Sequence, residues 1–115
     1  MLRLMTFALM LSLPGIDQAE ITAATLEHDL RLAEAQEMSA EDAIQFSMAA
    51  GFVQGAAEMG NRDFLFCLPR NVSNVQLLNV VRGVLEENEA RGDASAIDLV
   101  KASLMLAFPC RSRNP

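Results

Sequence analysis

Residues 73–89 read Ser-Asn-Val-Gln-Leu-Leu-Asn-Val-Val-Arg-Gly-Val-Leu-Glu-Glu-Asn-Glu. Ser73 followed three positions later by Gln76 is a capping box, in which hydroxyl and amide each satisfy a backbone N–H at the start of a helix. Leu77, Leu78, Val81, Val84 and Leu85 then recur at the three- and four-residue spacing of one helical face. The run closes in Glu86, Glu87, Asn88 and Glu89. Carboxylates there oppose the helix macrodipole, at a cost of roughly a few tenths of a kcal/mol. A corner that does not serve its own helix is a candidate for contact with something else.

The same period continues on both sides. Downstream, Arg91-Gly92-Asp93 makes a turn, and Asp93 caps a helix over about 94–108 with Ile97, Val100, Leu104 and Phe108 facing inward. Pro109 stops it. Upstream, a loop over 61–72 precedes Ser73. Before it, Ser39 caps a helix over about 40–59, with Asp42 as a capping-box-like partner. The inward face of that helix is read as Ile44, Met48, Gly51, Phe52 and Gly55, and Gly60-Asn61 ends it in the left-handed conformation. A first helix covers about 20–37, with Leu26, Leu30 and Ala33 on one face. No stretch alternates with period two, and β-branched residues are sparse. The fold expected is all-α, a compact bundle of four to five short helices.

Met1-Leu-Arg3 is a short basic start, Leu4 to Leu13 is nearly all apolar, and Pro14-Gly15 breaks any helix there. That is the layout of a secretory signal peptide, assigned to residues 1–19, with an apolar run too short to span a bilayer. An exported small domain with an even cysteine count makes a disulfide, here between Cys67 and Cys110. The bridge would enclose the best-patterned helices in one loop and contribute about 4 kcal/mol on the loop-entropy model. Residues 20–110 then form one domain, and 111–115 a disordered polar tail. The chain carries a formal net charge of −6 with no basic cluster, which argues against nucleic-acid binding and fits either solubility or a basic partner. No later stretch is apolar enough for stable membrane insertion once the leader is removed.

The census of chemical groups is short. His28 is the sole histidine and lies on the acidic first helix, where an exposed, non-catalytic place is expected. The acids show neither a His/Cys cluster nor a calcium-loop spacing, so no metal or cofactor is implied. Glu86, Glu87 and Glu89 have no apolar pocket evident around them and read first as a solvated face, with a charged contact surface as the competitor. Gly51 and Gly55 make a close-approach pair, read as tight packing of the second helix on a neighbour, with a self-association face as the alternative. Asn71-Val72-Ser73 matches the glycosylation sequon, a weak signal at three residues. Met38, Met48, Met59 and Met105 are expected to fill gaps in the core, or else to form a promiscuous apolar surface. Catalytic residues are expected to be absent, and the chain is read as a non-enzyme.

Several blocks follow in a characteristic order: Gly51-Phe-Val-Gln-Gly55-Ala-Ala, Phe66-Cys67-Leu-Pro69, Val72-Ser-Asn-Val-Gln76-Leu, Val80-Val81, Val84-Leu85-Glu86, Leu99-Val100 and Ala107-Phe-Pro-Cys110. Over about residues 25–110 the chain resembles the Tai-type immunity proteins, small periplasmic proteins that neutralise type VI secretion amidase effectors. The resemblance implies an all-helical, disulfide-bonded periplasmic domain, a homodimer, that blocks the active-site cleft of a peptidoglycan amidase. The family's paired cysteines correspond to Cys67 and Cys110. Its second cysteine pair has no counterpart, since Ala49 stands at one of those positions, and Glu-Asn-Glu at 87–89 replaces its His-Pro. On this basis Glu86, Glu87, Glu89 and Asp93 are the expected contact edge for the partner. The alternative reading is a periplasmic acid-stress chaperone or an orphan helical interaction domain.

Overall fold

A computed structural model of the chain describes residues 20–111. Four α helices follow one another: α1 (Ala23–Arg31), α2 (Ala40–Arg62), α3 (Asn74–Glu87) and α4 (Ala96–Ala107). Short 3-10 turns at Leu32–Glu34 and Glu89–Arg91 follow α1 and α3. Each helix touches the other three, and no strand occurs among the described residues. The all-α bundle read from the sequence is the architecture found. None of the described helices is long and apolar enough to cross a membrane. The signal peptide assigned to residues 1–19 and the tail beyond Arg111 lie outside the described residues.

The caps explain where the helices begin. The Ser73 hydroxyl accepts from the Gln76 N–H at 3.1 Å, and the Gln76 side-chain oxygen accepts from the Ser73 N–H at 2.7 Å, completing the capping box. Ser39 accepts from the Asp42 N–H at 3.0 Å at the head of α2. Thr22 does the same for α1 through the Thr25 N–H at 3.2 Å, so that helix starts at Ala23 rather than residue 20. It also ends earlier than expected, and Ala33 falls in the 3-10 turn and is exposed. The fourth helix begins at Ala96 after Ser95, not after Asp93. Its first N–H is satisfied from another part of the chain: Ala96 donates to the Ile21 carbonyl at 2.8 Å, while Ala23 donates to Ala94 at 2.8 Å. This strand-like link, with its bridge between Thr22 and Ser95, replaces a side-chain cap.

The core is built from Leu26 and Leu30 of α1, Leu77, Val81 and Leu85 of α3, Leu99, Val100 and Leu104 of α4, and Phe66 of the connecting loop. These fill the centre, and α2 meets them with small side chains: Ala49, Ala50, Val53, Ala57 and Gly60 are its buried residues. The inward face read from the sequence is therefore wrong at Ile44, Met48, Gly51 and Gly55, and only its Phe52 packs against the core. Ile44 and Met48 are 61 % and 71 % exposed, and Gly51 and Gly55 lie open, with nothing within 4 Å of where a Cβ would stand. The two glycines do not pack α2 on a neighbouring helix. The core role expected for the methionines fails as well, since Met38, Met48, Met59 and Met105 are all exposed.

The end of α2 differs too. Gly60 is still helical and buried, and Phe64 takes the left-handed position at φ 59°. Leu65 N–H donates to the Gly60 carbonyl at 2.9 Å and Phe64 N–H to Asn61 at 3.3 Å, the two bonds of a Schellman motif. Gly60 cannot be the terminator because the Phe66 ring lies on it. Three positions beyond Phe64 the chain reaches Cys67, which is bonded to Cys110 with Cα atoms 4.9 Å apart. A backbone bond from Cys67 N–H to the Phe108 carbonyl, 2.8 Å, runs beside the bridge. The disulfide expected from the sequence thus closes the chain around α3 and α4.

Candidate functional site

Two surfaces stand out, one charged and one apolar. The charged one is the corner where α3 ends. Asn88 caps the helix, its side-chain N–H donating to the Val84 carbonyl at 2.7 Å, and the 3-10 turn Glu89–Arg91 follows. Gly92 then passes so close to α1 that a Cβ would sit 3.1 Å from that of Ala24, and Ala24 N–H donates to the Gly92 carbonyl at 2.9 Å. The corner is thereby fixed to α1.

This contact divides the four acids singled out from the sequence. Arg31 of α1 reaches Glu27 one turn back at 2.8 Å and Glu89 across the corner at 3.2 Å. Burial pushes the Glu27 carboxyl above its ordinary value, the neighbouring Glu89 and Glu86 push it the same way, and Arg31 opposes them. Glu89 therefore faces α1 and acts partly within the protein, while Glu86 is exposed and enters no ion pair among the described residues. Glu87 and Asp93 are exposed and enter no ion pair among the described residues. Glu27 and Arg31 were missed by sequence reading. Their four-residue spacing signals a local pair, but nothing signals a contact with Glu89 58 positions away. Farther along α3, Arg82 pairs with Glu34, tying the turn after α1 to the same helix.

The apolar surface is the outward face of α2. Ile44, Met48, Gly51, Gly55 and Met59 form an exposed stripe on the side opposite the buried alanines. A groove of about 510 Å³ runs along one flank, between the glycines and Ile97 and Lys101 of α4. A second, of about 710 Å³, lies on the other flank, where Met48 and Phe52 face Ile21, Thr25 and His28. His28 is exposed as expected, with Nδ1 3.1 Å from an Asp29 carboxylate oxygen. No group of three or more potential ligands gathers among the described residues.

A helical domain closed by a disulfide, with a charged corner and an unpartnered apolar helix face, offers two surfaces to a protein partner and no catalytic constellation among the described residues. The model of the Rap1a immunity proteins matches residues 22–110, which is the whole helical domain, and the chain belongs to that family. Immunity proteins are inhibitors rather than enzymes, and membership implies a protein partner, the effector. No curated protein matches the chain.

Proposed function

We propose that the protein is a periplasmic inhibitor of a type VI secretion effector that cleaves peptidoglycan as an amidase, placed within the Tai-type branch of immunity proteins, and that it works as a homodimer. The observation that carries this reading is the Cys67–Cys110 bond closing the domain that matches the family. Structural disulfides persist in oxidising compartments, which supports export by the leader at 1–19. The order of blocks around Phe66-Cys67-Leu-Pro69 and Ala107-Phe-Pro-Cys110 supports the Tai-type placement. Inhibition is steric. A domain held rigid by the bridge and by the Arg31 tie loses little conformational freedom on docking, so more of the contact energy remains as affinity.

The acidic corner is the contact edge in this proposal. Its charge steers a basic rim on the effector and raises the association rate. The experiment mixes the oxidised protein with a purified Cys-His peptidoglycan amidase effector of a type VI system and follows peptidoglycan cleavage. Cleavage should stop at near-equimolar inhibitor. Undiminished cleavage at large excess would remove the amidase reading. Within a confirmed complex, reversing Glu86, Glu87, Glu89 and Asp93 together should lower the association rate constant about tenfold or more at low salt. An unchanged rate would move the contact edge elsewhere.

A further inference from the structure

We propose that the outward face of α2 is the interface between two copies of this chain, packed antiparallel about a two-fold axis that passes between Gly51 and Phe52. The inference rests on the homodimer in the reading above and names the surface that forms it.

The first observation is exposure. Ile44, Met48 and Met59 are 61 %, 71 % and 59 % exposed and lie in one line along a helix whose other side is buried. At 3.6 residues per turn the whole stripe falls within about 50° of that line. Contiguous apolar surface of this kind marks an interaction site.

The second observation selects the occupant. Turned end for end about the midpoint between Gly51 and Phe52, the stripe maps onto itself except at its centre, where Gly51 meets the half-buried Phe52. Ile44 of one copy then lies against Met59 of the other, and Met48 against Gly55. The largest exposed side chain of the middle of the stripe thus meets a position with no side chain, where nothing in the same protomer lies within 4 Å of a Cβ. One turn beyond the apolar residues, Glu41 begins the stripe and Arg62 ends it. In the same register they face each other across the axis at both ends of the interface. A parallel arrangement would instead set Glu41 against Glu41, Arg62 against Arg62 and Met48 against Met48, leaving the two glycine positions facing an unfilled gap. Size, polarity and charge all favour one register, and a two-fold interface requires that self-complementarity. The close approach that the glycine spacing signals is made between chains, where it is absent within one.

The test is sedimentation equilibrium on the purified, oxidised protein and its variants. The unaltered protein should be dimeric at micromolar concentration. Gly55→Met, which fills the hole but has open space in the protomer, should weaken the dimer at least about tenfold while leaving the circular dichroism unchanged. Gly83→Met, at another exposed helical glycine with open space, should leave the dimer intact. Glu41→Arg and Arg62→Glu should each weaken it, and the double exchange should restore it. A dimer that tolerates Gly55→Met overturns this face and leaves the homodimer reading standing. A protein monomeric at high micromolar concentration overturns both. A monomer that loses its effector through Gly55→Met would assign the face to the effector and overturn the proposal.

Discussion

Gly60 and Phe64 occupy each other's customary places. Glycine is a poor helix interior residue, and an aromatic residue in the left-handed region is strained. Yet Gly60 sits inside α2, while Phe64 holds φ 59° with its ring largely in solvent. The cause is Phe66, whose fully buried ring would lie 2.2 Å from a Cβ on Gly60. The helix has to run past that contact before it can turn. Gly60→Ala is expected to destabilise by about 2 kcal/mol, despite alanine's better helix propensity, because a packed ring has to move. Phe64→Gly should stabilise by roughly 0.5–1 kcal/mol, relief of the left-handed strain being partly offset by backbone entropy. Urea denaturation measures both. A neutral Gly60→Ala would show that the ring shifts freely. The sequence signal was ambiguous here because Gly60-Asn61 is a common terminator, and only the packing of a residue six positions on overrides it.

At the scale of elements, the capped helices were legible and the orientation of α2 was not. Ser39 and Ser73 announce their helices through bonds within four residues, so local reading suffices. For α2, two faces have helical period. One carries Ile44, Met48 and Met59, the other Ala49, Val53 and Ala57, and apolar size points to the first. The three leucine-bearing helices leave room only for the second. The tie between α1 and the corner after α3 was likewise invisible, since it joins distant residues through Arg31. It carries a pH dependence. The Glu27 carboxyl is held above its ordinary value, chiefly by burial and then by Glu89. Between the ordinary and the raised value the folded chain binds more protons than the unfolded one, so this group makes stability fall as pH rises through that window. Glu27→Gln should flatten that part of the curve of thermal midpoint against pH. An unchanged slope would mean that the carboxyl is not strained in the fold.

For the whole molecule, the bridge decides how four short helices hold together. Cys67 and Cys110, separated by 43 positions, enclose α3 and α4, while α1 and α2 pack against that loop from outside it. On the loop-entropy model the link removes about 4 kcal/mol of freedom from the unfolded chain, against a total of roughly 5–15 kcal/mol for a domain of this kind. Both cysteines are exposed, so reductant reaches the bond without prior unfolding. The native contacts around it, Phe66 in the core and the Cys67–Phe108 backbone bond, are made by atoms other than the sulfurs. Replacing both residues, Cys67→Ser with Cys110→Ser, should therefore lower the unfolding free energy by about 2–4 kcal/mol while the folded far-ultraviolet spectrum is retained. The same loss should appear when the unaltered protein is reduced. If oxidised and reduced protein unfold at the same urea concentration, the unfolded chain is already constrained without the bond, and the cysteines contribute little to the rigidity on which the proposed steric inhibition rests.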